Sequence, residues 1–372
     1  MSTPEQQPNT LNLQSLESEL SLSRQEMEEF KKLPKKEQKV QKLARINNLQ
    51  ERLDQMIQEA IQTGNVKEAE KIKDKLTQEI NDLEKLLSSV ENHEDIFQEI
   101  RGRNFEHIDD LEYISDELAE FLVNNCHKGE LQLGGLNSIS DVVAEHLSKY
   151  KGTLWLSGLT HLSDNAARSL SRFKGDTIAL NSLTSLSDVA INYLSKHKSK
   201  SWSHRLILTN LNSLSDIAAK SLSEYEGDLI LSGLTSISDT VAELLAKHKK
   251  ELTLDGLKTI SDKTADFLSR HEGELSLRNI SSLSDIAAEH LSKHKGTLYL
   301  WEIKSLSDTA VEHLSRHQGN LSLGLTKISD KMAESLSKHD GTLWLSNLYT
   351  ISDKAKEYLA KHKGEVFTGY KK

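Results

Sequence analysis

The chain has 372 residues, 47 Lys+Arg against 56 Asp+Glu, and one cysteine. One cysteine excludes an intrachain disulfide framework and a multi-thiolate zinc site, and a net charge of -9 argues against coating nucleic acid by bulk charge. The hydrophobic set is 36% of the chain, low for one compact globule of this length but suited to an elongated molecule. No apolar run approaches the ~18 residues of a membrane span. The first residues show no basic cluster followed by a hydrophobic stretch, so no signal peptide is expected and the cytoplasm is the expected compartment.

Residues 1–14 are polar and read as a disordered tail. Residues 15–100 read as helical. Leu16, Leu20, Met27 and Phe30 mark a helix that stops before Pro34. Val40, Leu43, Ile46, Leu49, Leu53, Met56 and Ala60 recur at 3–4 spacing and predict a long helix. Thr63, Gly64 and Asn65 end it, and Asn65 with Glu68 suits a variant capping box. Val66, Ala69, Ile72, Leu76, Ile80, Leu83, Leu87 and Val90 predict a second long helix. Together they predict an antiparallel, coiled-coil-like hairpin over about 36–92. Two helices bury little, so a docking or self-association role is expected for it.

From about residue 101 to 372 the chain repeats. Ser-Asp recurs at Asp116, Asp141, Asp164, Asp188, Asp216, Asp239, Asp262, Asp285, Asp308, Asp330 and Asp353, mostly about 23 residues apart, inside the range that marks solenoids. A weak strand, Phe105 to Ile108, is expected before the first unit, and Glu365 to Thr368 closes the last. In each unit a Leu-x-Leu stretch such as Leu131 to Leu133 alternates with period 2 and predicts a short strand. Ser or Asp then offers an N-cap oxygen to a short helix. Alanines and leucines such as Ala144 and Leu147 form the inner face of that helix, and a basic last turn precedes a glycine.

One unit cannot bury its own apolar face, but stacked units can. Leu136, Leu159, Leu183, Leu211, Leu234, Leu257, Ile280, Ile303, Leu325 and Leu348 form one expected buried ladder. Ile139, Leu162, Leu186, Leu214, Ile237, Ile260, Leu283, Leu306, Ile328 and Ile351 form a second. Strands sit about 4.8 Å apart and helices need about 8–10 Å, so strands should line a concave side and helices a convex one. The expected class is α/β, a curved solenoid of parallel strands and short helices.

These residues resemble the leucine-rich-repeat family. The likeness is to its cysteine-containing and ribonuclease-inhibitor-like types, in a bacterial-style unit of about 23 residues. Leu136 and its equivalents stand where that family usually has Asn or Cys. The resemblance implies a non-enzymatic protein-binding module without a cofactor.

Eight histidines share one repeat position: His127, His197, His248, His271, His294, His317, His339 and His362. Tyr150, Phe173 and Tyr225 hold it elsewhere, and phenylalanine cannot bind metal. A flat ring that stacks at a helix C-terminus, with an imidazole N–H reaching the last carbonyls, explains the set better than a metal ladder. Ser-Asp and His lie at opposite helix ends, about 15 Å apart at 1.5 Å per residue, so no catalytic triad forms within a unit.

The x positions of Leu-x-Leu, and the residue after, should face the concave side. Trp155, Tyr299, Trp301, Trp344 and Phe367 there carry rings, and Ile207 and Ile230 add an apolar patch. Such rings suit partner anchors. The long step from Asp188 to Asp216 predicts a rim loop holding Lys200, Trp202 and His204. The sequence therefore reads as a protein-interaction module that binds on the concave face. One alternative is a scaffold assembled through residues 36–92. The other is a nucleic-acid or acidic-partner adaptor using the basic segment 31–45, disfavoured because no stacking aromatics interleave it.

Overall fold

The computed structural model describes residues 111–126, 129–199 and 204–369. The expected tail, the 36–92 hairpin, the basic segment 31–45, the strand at Phe105, His127, Lys200 and Trp202 lie outside the described residues. The chain divides into two compact units, Met1–Asn92 and His93–Lys372, and every described residue belongs to the second.

Strands and helices alternate strictly. The strands are β1 (Glu130–Gln132), β2 (Thr153–Trp155), β3 (Thr177–Ala179), β4 (Arg205–Ile207), β5 (Asp228–Ile230), β6 (Leu252–Thr253), β7 (Leu275–Ser276), β8 (Leu298–Leu300), β9 (Leu321–Leu323), β10 (Leu343–Leu345) and β11 (Val366–Thr368). The helices are α1 (Asp116–Asn125), α2 (Asp141–Leu147), α3 (Asp164–Leu170), α4 (Asp188–Leu194), α5 (Asp216–Ser223), α6 (Asp239–Leu245), α7 (Asp262–Leu268), α8 (Asp285–Leu291), α9 (Asp308–Leu314), α10 (Asp330–Leu336) and α11 (Asp353–Leu359). The sheet runs β1 to β11 in sequence order, and each neighbouring pair is parallel. The register equates repeat positions, as in Leu298↔Leu321 and Tyr299↔Ser322.

Serine fixes where each helix begins. The Ser307 hydroxyl accepts the Ala310 N–H at 2.9 Å, and Ser140 accepts the Val143 N–H at 3.0 Å. The aspartate that follows does not cap. It accepts a hydroxyl proton from the capping serine of the next unit: Ser163 donates to Asp141 at 2.5 Å and Ser329 to Asp308 at 2.8 Å. Ser187, Ser284, Ser307 and Ser352 repeat the contact with Asp164, Asp262, Asp285 and Asp330. One hydroxyl therefore closes its own helix and ties it to the preceding one.

The Leu136 ladder is fully buried along the stack. Each such leucine contributes about 1.5–3 kcal/mol by leaving water. The second ladder is deep only at Ile139 and Leu162, and its members from Leu186 to Ile351 are half-buried. They precede the capping serine, where the chain turns from the core toward the helix start, so only part of each side chain is covered.

Candidate functional site

Alternation puts Leu298 and Leu300 of β8 into the core, which leaves Tyr299 on the opposite face of the sheet. Trp344 occupies the equivalent position on β10. Between them β9 presents only Ser322. The residue after each strand extends the contrast: Trp301 follows β8, and Gly324 follows β9. The small Ser322 between these rings leaves a cleft of about 410 Å³, lined by Arg278, Tyr299, Trp301, Ser322 and Trp344. Its ring-bearing strands are two spacings apart, about 10 Å, enough for one planar or branched side chain between them. Trp301 is 39% exposed.

Gly324 is required there. A Cβ on it would lie 1.6 Å from the Trp301 carbonyl oxygen, because the chain after β9 runs hard against the turn after β8. The step from Asp308 to Asp330 is one residue shorter than the steps on either side. Gly158 and Gly256 make the same close approach to the preceding unit, where a Cβ would lie 2.0 Å from the Gly134 carbonyl oxygen and 2.3 Å from that of Ser232, so the crowding belongs to the stacked turns in general. The ring pattern alone did not point to Arg278, Ser322 and Gly324. The shortened step marks only the turn that holds Gly324.

Charge surrounds the cleft unevenly. The Arg278 guanidinium lies 5.0 Å above the Tyr299 ring, and no carboxylate lies within 4 Å of it among the described residues. The Tyr299 hydroxyl donates to Glu274 Oε2 at 3.2 Å, and burial with that neighbouring carboxylate pushes the phenol up. Register places Asp228, the first residue of β5, in line with Glu251 and Glu274, which immediately precede β6 and β7. Arg205 Nε meets Asp228 at 3.3 Å. The Glu251 carboxylate accepts the Thr253 hydroxyl at 3.1 Å, and burial pushes its carboxyl up, with Asp228 and Glu274 adding to the rise.

The structure gathers some of the expected binding residues and separates others. Tyr299, Trp301 and Trp344 share the cleft, and Phe367, 46% exposed, stacks on Trp344 at 6.1 Å and 10°. Ile207 and Ile230 pair across β4 and β5 as a separate half-buried patch. Buried Thr253 and Ser276 lie between that patch and Tyr299. Trp155 stands apart on β2, half-buried. His204 is not on a rim. It is buried, its ring edge-on to His197 at 4.8 Å and to Tyr225 at 4.9 Å. It holds the repeat position that is Gly227 in the next unit, so its side chain enters the interior.

The shared histidine position forms a column of stacked rings. His248, His271, His294, His317 and His339 follow one another at 5.7 to 6.1 Å with planes within 11° of parallel. Tyr225 continues the stack at 6.5 Å and 9°. The imidazoles do not reach the last carbonyls of their own helices. His317 Nε2 lies 2.9 Å from the Gly296 carbonyl of the preceding unit, and His197 Nε2 lies 3.2 Å from that of Gly175. Burial, followed by a neighbouring histidine, pushes His197, His248, His294 and His339 down to about 4. They are neutral plates at neutral pH. No group of three or more His, Cys, Asp or Glu among the described residues could hold a metal ion.

These features define an α/β solenoid of the leucine-rich-repeat kind, with a ring-lined cleft on its strand face. No protein-family model and no curated sequence matches the chain. Among solved structures it is similar to a leucine-rich-repeat protein of Leptospira interrogans, with 16% identity, 68% of this chain and 74% of that one covered, and a TM-score of 0.39. It is also similar to the Rad7 and Elc1 complex of yeast, with 17% identity, 80% and 95% covered, and a TM-score of 0.35.

Proposed function

We propose that the chain is a non-enzymatic, cytoplasmic protein-recognition module. In this reading the partner lies on the concave strand face, and residues 36–92 dock or self-associate the module. The observation that carries it is the grouping of Tyr299, Trp301 and Trp344 around one open cleft. Rings held on a rigid sheet lose little entropy on binding, and Trp and Tyr are the usual anchors of hot spots. The repeated Ser and Asp are committed to caps and inter-unit bonds, and most of the repeated histidines to a buried stack, which leaves none of them for catalysis in this reading.

The test replaces Trp301 and Trp344 together by serine. Neither belongs to a buried ladder, so the thermal midpoint should barely move. Affinity for the partner captured from source-cell lysate should fall by at least ~2 kcal/mol, the scale of a hot spot. Unchanged binding, with loss only when residues 36–92 are deleted, would move recognition to the hairpin.

A further inference from the structure

The cleft and the carboxylate row lie on the same face of one sheet at a spacing the register fixes. The cleft floor is Ser322, on β9. Glu274 precedes β7, two strands away, and Glu251 precedes β6, three strands away. At about 4.8 Å per strand these offsets are about 10 and 14 Å. An extended peptide crossing the strands covers about 3.3 Å per residue, so three to four residues span the gap.

We propose that the cleft takes one large apolar side chain of an extended partner segment, and that a lysine or arginine three to four residues from it meets Glu251 and Glu274. The proposal rests on the protein-recognition reading above and names the chemistry of the partner. Three features fix the choice of occupant. The cleft is walled by the rings of Tyr299, Trp301 and Trp344 and floored by the small Ser322, so it offers apolar contact to a flat or branched group. A cationic group does not belong inside it, because Arg278 already covers the face of Tyr299. Arg278 keeps donors free for a main-chain carbonyl of the bound segment. Outside the cleft the charge is negative: Arg205 pairs with Asp228, while among the described residues the carboxylates of Glu251 and Glu274 are hydrogen-bonded by hydroxyls and meet no cation within 4 Å. Phosphate-bearing ligands are repelled by that row, and a basic side chain completes it.

The test uses the full chain and three fluorescein-labelled peptides of about ten residues each. The first carries two adjacent lysines and, three to four positions on, a phenylalanine in an alanine-serine background. The second has glutamates for the lysines, and the third has serine for the phenylalanine. Fluorescence anisotropy should show the first bound at least about tenfold tighter than either other peptide, the scale set by losing an anchor or reversing a charge. The E251Q/E274Q chain should lose the preference for lysine over glutamate but keep the preference for phenylalanine. W301S/W344S should lose the preference for phenylalanine, with an unchanged thermal midpoint showing that it folds. Lysine and glutamate peptides bound alike, or none bound, overturn the proposal. So does a labelled single-stranded oligonucleotide that binds better than any peptide. The broader reading survives those results if W301S/W344S still loses the lysate partner. A lysate partner retained by that variant overturns both.

Discussion

Acid should dismantle the solenoid through its ring column well before the surface carboxylates titrate. An unfolded histidine takes up its proton near pH 6.5. In the folded stack His197, His248, His294 and His339 are held down to about 4, chiefly by burial. His204, His271 and His317 are lowered for the same first reason. The unfolded chain therefore binds more protons, so the stability from neutral rings is complete above about pH 7 and is lost as pH falls from about 6.5 toward 4. At pH 5 the linkage amounts to about 2 kcal/mol for each of the four strongly shifted rings. Allowing half of the sum for relaxation and water entry leaves about 4 kcal/mol, a large share of the 5–15 kcal/mol of a typical domain. Other groups act elsewhere or against this. Lys partners hold Glu226, Asp239, Glu272 and Asp353 low, so their contributions are lost only at lower pH. Glu251 is raised and changes stability in the opposite direction. Urea unfolding followed by tryptophan fluorescence at pH 7.5 and pH 5 measures the effect. The midpoint should fall by more than about 1 M, taking a urea dependence of about 3 kcal/mol per molar. His294→Phe should recover roughly 1 kcal/mol of the loss at pH 5 and change stability at pH 7.5 by less than about 1 kcal/mol, because Phe173 already occupies this position two units before Tyr225. Equal midpoints at the two pH values, or an unaltered pH dependence in His294→Phe, would refute the assignment of acid sensitivity to the column.

Three further outcomes are expected. Ser307→Ala removes both the cap on Ala310 and the bond to Asp285, and should cost about 1–2 kcal/mol in urea unfolding, against under about 0.5 for an exposed serine without a cap role. Gly324→Ala forces a Cβ against the Trp301 carbonyl and should cost about 1–3 kcal/mol; a neutral result would show that the turn after β9 is looser than the cleft requires. A fragment of residues 101–372 should melt cooperatively by circular dichroism, because nearest-neighbour stacking supplies its core, and an unfolded fragment would show that residues 1–100 are needed for it.

Much of the fold was legible because the repeat writes the same instruction many times. Period 2 around Leu131 gave the strands, Ser-Asp gave the helix starts, and the Leu136 ladder gave the core. Contacts between units were harder to read. Serine and aspartate are both good capping residues, and only the stacking of unit on unit gives the cap to Ser307 and makes Asp285 an acceptor for it. The histidine position announced a flat ring, yet its hydrogen-bond partner, as at Gly296 for His317, belongs to the neighbouring unit and has no mark in the unit itself. His204 was misplaced because an insertion before a strand looks like a surface loop until the register aligns it with Gly227. The rings of the candidate site were visible as exceptions to the repeat. The hollow between them was not, because it is made by what β9 lacks.

The Ser–Asp ladder points one way. In most units the hydroxyl looks back to the aspartate before it, and that aspartate looks forward to the serine after it. Where this holds, one unit can follow another, and removing or duplicating a whole unit leaves the donor facing an acceptor. What changes is distance. One unit more between β6 and β7 would carry Glu251 about 4.8 Å further from the cleft, leaving Glu274, Arg278 and the ring walls as they are. The array is thus a ruler graduated in strand spacings, and a partner that reads both marks must match its count.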